Sequence, residues 1–215
     1  QGVMSGTQDV VVAGGVQNMS MFPIGIAGSL AAEKGLPSRA DSKRWQERYG
    51  EAGEISQFRG AELIAEKWDI SREDMERFAY ESHQRALRAQ EAGRFEAEIS
   101  PLEGVTRDEG PRPDTTLEKM AGLRTLAEGG RLTAAVSSQI SDASAAMLVV
   151  SEKALEQHGL TPRARIHHLS VYGADPVFML SAPIPATERA LEQTGLTPDD
   201  IDVVEINEAF ASVVL

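Results

Sequence analysis

The chain has 215 residues, of which 41% are hydrophobic and 25% charged, a composition typical of a globular protein with one or two domains and a real core. Its formal net charge of -12 argues against nucleic acid or an anionic membrane as the main partner. It contains no cysteine, which excludes disulfides, thiolate metal sites and cysteine nucleophiles within these residues, and no apolar run is long enough to span a membrane.

Both ends of the sequence have the pattern of ordered segments inside a longer polypeptide. The chain starts at Gln1 without an initiator Met, and Gln1–Gly6 is typical of a helix tail closed by glycine. Phe210–Leu215 stops inside an apolar run, whereas natural domains usually end in exposed polar segments. We therefore expect an internal piece of a longer chain, the alternative being a domain whose disordered ends are missing from the sequence.

The first elements are a strand and a polar, irregular region. Asp9–Gly15 is an apolar run that ends in two glycines, which predicts a central parallel strand followed by a tight turn. From Ile24 to about Phe58 the periodicity is weak, which indicates loops and short helices. Basic residues in this region are either phosphate contacts or parts of a solvated face: Arg39, Lys43, Arg44, Arg48 and Arg59.

The clearest helices lie in the middle of the chain. Gly60–Ile70 has apolar residues at helical spacing. Ser71 with Asp74 forms a capping box, which starts a helix that ends at about Ala92, before Gly93. His83 on this second helix is better explained as a surface or structural residue than as a catalytic one.

Shorter elements follow. The pattern predicts strands at Phe95–Leu102, Ala146–Val150 and Arg165–Val171, a long loop over 104–117, and helices at Ala154–Gly159 and Ala186–Thr194, with Pro185 in the first turn of the last helix.

The stretch from Asp202 to Ser212 contains the main candidate site. Val203–Ile206 predicts a short buried strand, and Asn207 stands at its carboxyl end, where open α/β sheets bind their ligands. An asparagine amide both donates and accepts hydrogen bonds, so it can hold a water or an oxyanion. The alternative is that Asn207 only caps the helix predicted from Ala209.

Asn207-Glu-Ala-Phe-Ala211 resembles the Asn-Glu-Ala-Phe motif of the thiolase family. Further segments resemble thiolase motifs and follow in thiolase order: Ala13–Ser20, Ala61–Ala86, Thr116–Arg124, Leu132–Glu152 and Met179–Ala186. The chain departs from the family where other residues replace glycine or asparagine, at Ala135, Val136, Ala143, Leu180 and Ala182. These replacements put in doubt the finer shape of the tunnel that takes up pantetheine, because alanine is costly where a backbone needs positive φ.

The resemblance implies an α/β thiolase fold, with layered α/β/α halves and an inserted loop domain, incomplete at both ends. The expected division is the end of the N-terminal half over 1–23 and the loop domain over 24–131. The chain then returns to the N-terminal half over 132–159 and starts the C-terminal half over 160–215.

The resemblance also implies acyl transfer between 3-ketoacyl-CoA and CoA, with coenzyme A or acyl-CoA as substrate and no metal. In this family a cysteine thiolate is acylated, and a histidine and a second cysteine move protons. None of these groups is in the chain, so the chain alone is predicted to be inactive. Asn207 is expected to position a water at an oxyanion hole and Ser138 to meet the pantetheine arm, with apolar walls from Ala134, Leu126, Met179, Ala209 and Phe210.

Gln57–Glu62 stands where many biosynthetic thiolases carry His-Met-Gly-Thr-Thr-Ala-Glu, which favours a degradative acyl- or steroid-CoA thiolase. Two other interpretations remain open: a thiolase-like acyl-CoA or lipid carrier without turnover, and a structural piece of a larger assembly. The resemblance implies a homodimer or homotetramer with Asp9–Val12 near the subunit contact, and we expect a cytoplasmic location.

Overall fold

The computed structural model describes residues 1–38, 41–50 and 55–215. In chain order, its strands and helices are β1 (Val10–Asn18), α1 (Ile26–Glu33), α2 (Lys43–Tyr49), α3 (Gln57–Lys67), α4 (Arg72–Glu91), α5 (Leu117–Ala121), β2 (Asp142–Val150), α6 (Glu152–His158), α7 (Pro183–Thr194) and α8 (Ala211–Val214). Short 3-10 helices lie at Ala134–Val136, Met179–Ser181 and Pro198–Asp200. The chain forms two compact units, one from 1–36 and 140–169 and the other from 37–139 and 170–215.

The first unit is built on an antiparallel pair of strands. Their register runs from Val10 opposite Val150 to Asn18 opposite Asp142. A carboxylate stands at each end of the ladder. The Asp9 carboxylate accepts a hydrogen bond from the Ser151 hydroxyl at 2.8 Å, and Asp142 accepts one from the Ser20 backbone N–H at 2.9 Å. Both ends of the strand pair are therefore fixed by side chains.

The prediction of a parallel strand with a tight turn at its end was wrong. The pairing of β1 among the described residues is antiparallel, and the strand continues through both glycines. A Cβ at Gly14 would lie 2.7 Å from the Ala145 carbonyl oxygen, so glycine serves close strand approach there and not a turn.

The second unit is built around α3 and α4. The hydroxyl of Ser71 accepts the Asp74 backbone N–H at 3.0 Å, so the predicted cap of α4 is confirmed. The buried core is mostly small and aliphatic, with Ala61, Ile64, Ala65, Ile70, Met75, Ala79, Met120, Leu132, Val136, Phe210 and Ala211. Most of its members come from α3, α4, α5, α8 and the 3-10 helix at Ala134–Val136, and Ile70, Leu132 and Phe210 lie in the segments between them. These parts together position the cavity described below.

Three predicted strands are absent from the described structure. Phe95–Leu102 forms turns closed by backbone bonds such as Ile99 N–H to the Phe95 carbonyl at 3.1 Å. Arg165–Val171 and Val203–Ile206 are unpaired coil, with Val203 83% exposed. Since a strand needs a neighbour for its backbone hydrogen bonds, an apolar run without such a neighbour among the described residues stays irregular.

The predicted helix tail at Gln1–Gly6 is a series of turns, with Gly6 at φ 72°. The residues that replace glycine do not adopt positive φ. Among the described residues, positive φ at a residue other than glycine occurs at Asp69, Glu103 and Met179, and not at the replaced positions. Met179 does precede one of them, Leu180, and has a φ of 24°.

Candidate functional site

A cavity of about 540 Å³ lies within the second unit, and it brings together three of the residues predicted to form the site. Ala134 and Ser138 form one wall and Asn207 contributes to another. The third wall comes from the middle of α4, and the loop before α5 closes the remaining side. The cavity therefore combines small apolar groups with several hydrogen-bonding groups, a lining that suits an extended polar ligand.

Two backbone contacts hold the first two walls together. The backbone N–H of Ser138 donates to the carbonyl of Ala209 at 2.8 Å, and Ser137 forms an antiparallel bridge with Phe210. Asn207 lies just before this junction, where its exposed side chain lines the cavity. The N-terminal cap of α8 is Phe210, so Asn207 does not cap that helix. The interpretation of Asn207 as a mere helix cap was therefore wrong.

The α4 wall carries a serine and a histidine that the following segments hold in place. The hydroxyl of Ser82 donates to the Glu208 carboxylate at 2.6 Å. His83 Nδ1 accepts the backbone N–H of Arg112 at 3.2 Å, which leaves Nε2 to carry the proton of the neutral ring. Burial, followed by the positive charge of Arg112, lowers the pKa of His83, and the negative charge of Glu208 opposes this shift. The cavity therefore contains an imidazole that favours its neutral form.

The loop side of the cavity carries a tethered ammonium group. Lys119 Nζ donates to the Asp114 carbonyl at 2.5 Å and to its carboxylate at 3.1 Å. This hydrogen bond and charge hold the pKa of the Asp114 carboxyl below its ordinary value. Lys119 and Arg112 supply the positive charge of the lining, and the carboxylates of Asp114 and Glu208 balance it, so the cavity wall offers both hydrogen-bond donors and acceptors.

The remaining predicted site residues do not line this cavity. Leu126 lines a second cavity of about 480 Å³ together with Phe58. Met179 lies beside Gly60 of α3, where an added Cβ would be 3.4 Å from its Cγ. Ala209 contributes its carbonyl, and Phe210 is 3% exposed in the core.

The basic residues predicted as phosphate contacts lie elsewhere as well. Lys43 pairs with Glu47 at 3.7 Å, and Arg48 lies over the Tyr49 ring at 5.4 Å. Arg44 is exposed, and Arg59 lines the second cavity and pairs with Glu66 at 3.1 Å. Arg39 lies outside the described residues.

Ser82, Arg112 and Lys119 line the cavity without having been predicted from the sequence, and so does His83, which was predicted to be a surface or structural residue. The sequence Pro111-Arg112-Pro113 in the loop of 104–117 is a pattern that could have drawn attention to Arg112, but only tertiary contacts bring this loop against α4. In the part of the chain that the structure describes, no cluster of three or more His, Asp or Glu side chains could hold a metal ion, and no helix is long and apolar enough to cross a membrane.

Family comparisons agree with this fold. A model of the thiolase N-terminal domain matches residues 1–153, and one of the thiolase C-terminal domain matches residues 160–215. The fold is similar to that of an acetyl-CoA acetyltransferase from Syntrophomonas wolfei, with a TM-score of 0.80 and 30% identity over 99% of this chain and 56% of that one. The fold is therefore that of an α/β protein of the thiolase type. The chain belongs to the thiolase family.

Two curated relatives of the chain also bear the names of thiolases. The steroid 3-ketoacyl-CoA thiolase FadA6 of Mycobacterium tuberculosis is 61% identical over 100% of this chain and 54% of its own length. A 3-ketoacyl-CoA thiolase of Idiomarina loihiensis is 39% identical over 98% of this chain and 54% of its own length. The chain thus spans about half the length of the curated relatives it matches.

Proposed function

We propose that this chain forms the acyl-CoA binding part of a thiolase, which transfers an acyl group between 3-ketoacyl-CoA and CoA. The observation that supports this most is the convergence of Ala134, Ser138 and Asn207 on one cavity. Ser138 would meet the pantetheine arm, and Asn207 would hold a water or the developing oxyanion. Because these residues include no cysteine, the acylation step requires a thiolate from outside them.

Leu126, Ala209 and Phe210 then have indirect parts in the proposed site, whereas Met179 lies beside Gly60 and lines neither cavity described here. Ala209 and Phe210 support the wall that contains Ser138, through the carbonyl and the strand-like bridge described above. Leu126 lines the second cavity, which would take up part of the acyl chain. The four-part division of the chain into thiolase halves and loop domain belongs to the same proposal.

A binding experiment and a turnover experiment test the proposal. Calorimetry with CoA on the 215-residue chain is expected to show one site. In the full gene product that carries this chain, a 3-ketoacyl-CoA and CoA should yield acetyl-CoA and a shortened acyl-CoA. Asn207→Ala is expected to lower kcat by about 10²–10³-fold, the usual effect of losing one oxyanion-stabilising group. CoA binding without any turnover would favour the acyl-CoA carrier, and absence of both would contradict the proposal.

We also propose that the acyl group is bulky and of the steroid type, since the steroid 3-ketoacyl-CoA thiolase named above shares 61% identity with this chain and the 3-ketoacyl-CoA thiolase of Idiomarina loihiensis shares 39%. Turnover of a steroid side-chain 3-ketoacyl-CoA should exceed that of a straight-chain one of equal length. Equal rates on both would contradict this choice of substrate.

The intact protein is proposed to be a cytoplasmic homodimer or homotetramer. Support comes from the β1–β2 pair, where Val12 is 73%, Val16 79% and Met147 66% exposed, because such apolar strand surface is commonly covered by another subunit. Light scattering of the full gene product should give two or four times the mass of a single full-length polypeptide. A folded monomer would contradict the proposed assembly.

A further inference from the structure

The segment from Asn207 to Ser212 is fastened to the rest of the second unit by three contacts, two of them with α3. Its carboxyl end is held to α3, where the buried Ser212 hydroxyl donates to the Ala61 carbonyl at 3.0 Å. Its middle is held by Ser138, whose N–H bonds to Ala209. Phe210 also packs edge-on against Phe58, with ring centroids 5.4 Å apart. These contacts fix the segment from Ala209 onward.

The side chain of Asn207, in contrast, is not held by such contacts. It is exposed and makes no hydrogen bond with any part of the chain that the structure describes. A group that must receive a ligand atom benefits from this freedom, but its backbone then needs support from neighbours. The nearest support is at the next residue, Glu208.

Glu208 is held by Ser82 in the middle of α4. The two residues are 126 positions apart, and the hydroxyl lies 2.6 Å from the carboxylate oxygen. Bonds from a hydroxyl to a carboxylate are shorter and stronger than bonds between neutral groups. Helix α4 is itself well anchored by its cap at Ser71 and by the burial of Met75 and Ala79, so Ser82 stands on a rigid element.

We propose that Ser82 is a positioning residue of this site: its hydrogen bond to Glu208 holds Asn207 at the cavity. The assignment rests on the proposed function, because it gives Asn207 its catalytic part. Ser82 also lines the cavity, but its hydroxyl proton is used by Glu208 and so is not available to a ligand acceptor. Its effect on turnover is therefore transmitted through the Asn207 backbone.

Kinetics of the full gene product test this assignment. Ser82→Ala is expected to lower kcat about tenfold or more while KM changes less than twofold, because a charge-assisted hydrogen bond is lost but the cavity remains. Ser82→Thr, which keeps the hydroxyl, should restore most of kcat. Glu208→Ala should match Ser82→Ala, and the double variant should be no slower than either single variant, since both remove the same bond.

Ser100→Ala is the matched control, because Ser100 is an exposed serine in the same unit. It should leave kcat and KM unchanged. Wild-type kcat in Ser82→Ala, no recovery in Ser82→Thr, or additive losses in the double variant would each overturn the assignment.

Deuterium exchange separates this proposal from the proposed function. The peptide over 203–210 is expected to exchange faster in Ser82→Ala than in the wild type, and peptides of α3 should not change. If the wild type turns over no 3-ketoacyl-CoA but this exchange still rises, the proposed function fails and the Ser82–Glu208 support stands. Unchanged exchange overturns the support itself, whatever the activity.

Discussion

Glu62 is a carboxylate inside the second unit, and it is satisfied by the backbone and not by a cation. It is 5% exposed and accepts the Leu132 N–H at 2.8 Å and the Arg131 N–H at 3.0 Å from each of its oxygens. Glycine at 130 leaves it room, because an added Cβ there would lie 2.5 Å from its Oε1. The guanidinium of Arg131 turns instead to the Ile70 carbonyl at 2.8 Å and to Asp69 at 3.1 Å. Glu62 thus fixes the chain that leads to the Ser138 wall of the cavity.

Glu62→Ala is expected to lower the free energy of unfolding by about 2–3 kcal/mol, because it leaves buried N–H groups without an acceptor. Glu62→Gln keeps one acceptor oxygen and should cost about half as much. Urea denaturation measures both. The control is Glu66→Ala on the same helix, where the side chain is 52% exposed and pairs with Arg59, so its expected cost is below about 0.5 kcal/mol. Equal losses at 62 and 66 would contradict the role of Glu62.

His83 gives stability a pH dependence of known sign. Its pKa in the folded chain lies below the ordinary 6.5, mainly through burial and then through Arg112. The unfolded chain therefore takes up the proton first as pH falls, and stability that is full above pH 6.5 declines below it until the folded pKa is reached. The carboxyls with lowered pKa, such as Asp74 and Asp114, act in a separate window below 3.8.

His83→Gln is expected to flatten this decline, because glutamine does not titrate and its carbonyl can still accept the Arg112 N–H. The measurement is the midpoint of urea denaturation, determined for the wild type and for His83→Gln at several pH values between about 4.5 and 7.5. A slope that is the same in both proteins would place the titrating group elsewhere.

At the scale of elements, the two adjacent glycines of β1 have opposite surroundings. A Cβ at Gly14 would meet the Ala145 carbonyl oxygen at 2.7 Å, a backbone atom that cannot move aside without disturbing the ladder. A Cβ at Gly15 would meet nothing within 4 Å. The strand pair is therefore sensitive to side-chain volume at one position and tolerant at the next.

Gly14→Ala is expected to destabilise the chain by about 1–3 kcal/mol through overpacking. Gly15→Ala should be neutral or stabilising by up to about 1 kcal/mol, because it reduces the freedom of the unfolded chain at an unstrained position. Thermal unfolding of the two variants decides the matter. Equal effects at both positions would contradict the described register of β1 against β2.

The elements that sequence predicts well are those with local causes. The amphipathic spacing of α3 and the Ser71 cap of α4 are visible in the sequence, and both helices are present. The predictions of strands at Arg165–Val171 and Val203–Ile206 were wrong because strand pairing depends on two segments. The sequence of one apolar segment does not indicate which other segment would pair with it. The site divides in the same way. Ser138 and Asn207 belong to recognisable motifs, whereas Arg112 and Lys119 reach the cavity only through the path of a loop.

At the scale of the whole molecule, each compact unit is assembled from two separate stretches of chain. The first unit joins 1–36 to 140–169, and its strand pair brings residues such as Val16 and Ser144 opposite each other across the intervening chain. Closing so long a loop is entropically costly for the unfolded chain, and the strand ladder must offset that cost. A covalent link between β1 and β2 would remove much of this entropic cost, because it would close the loop in the unfolded chain as well.

The double variant Val16→Cys with Ser144→Cys is expected to form a disulfide on mild oxidation. The chain has no other cysteine to compete, and the two positions are direct partners with exposed side chains. In the chain-entropy account a loop of about 100 residues gives about 4.7 kcal/mol, so the urea midpoint should rise on oxidation and return on reduction. Val16→Cys with Ala145→Cys is the matched control, because neighbouring strand residues face opposite sides and its thiols should stay free. A disulfide that forms equally well in the control would mean that β1 and β2 slip by one residue, which would contradict the described pairing of Val16 with Ser144.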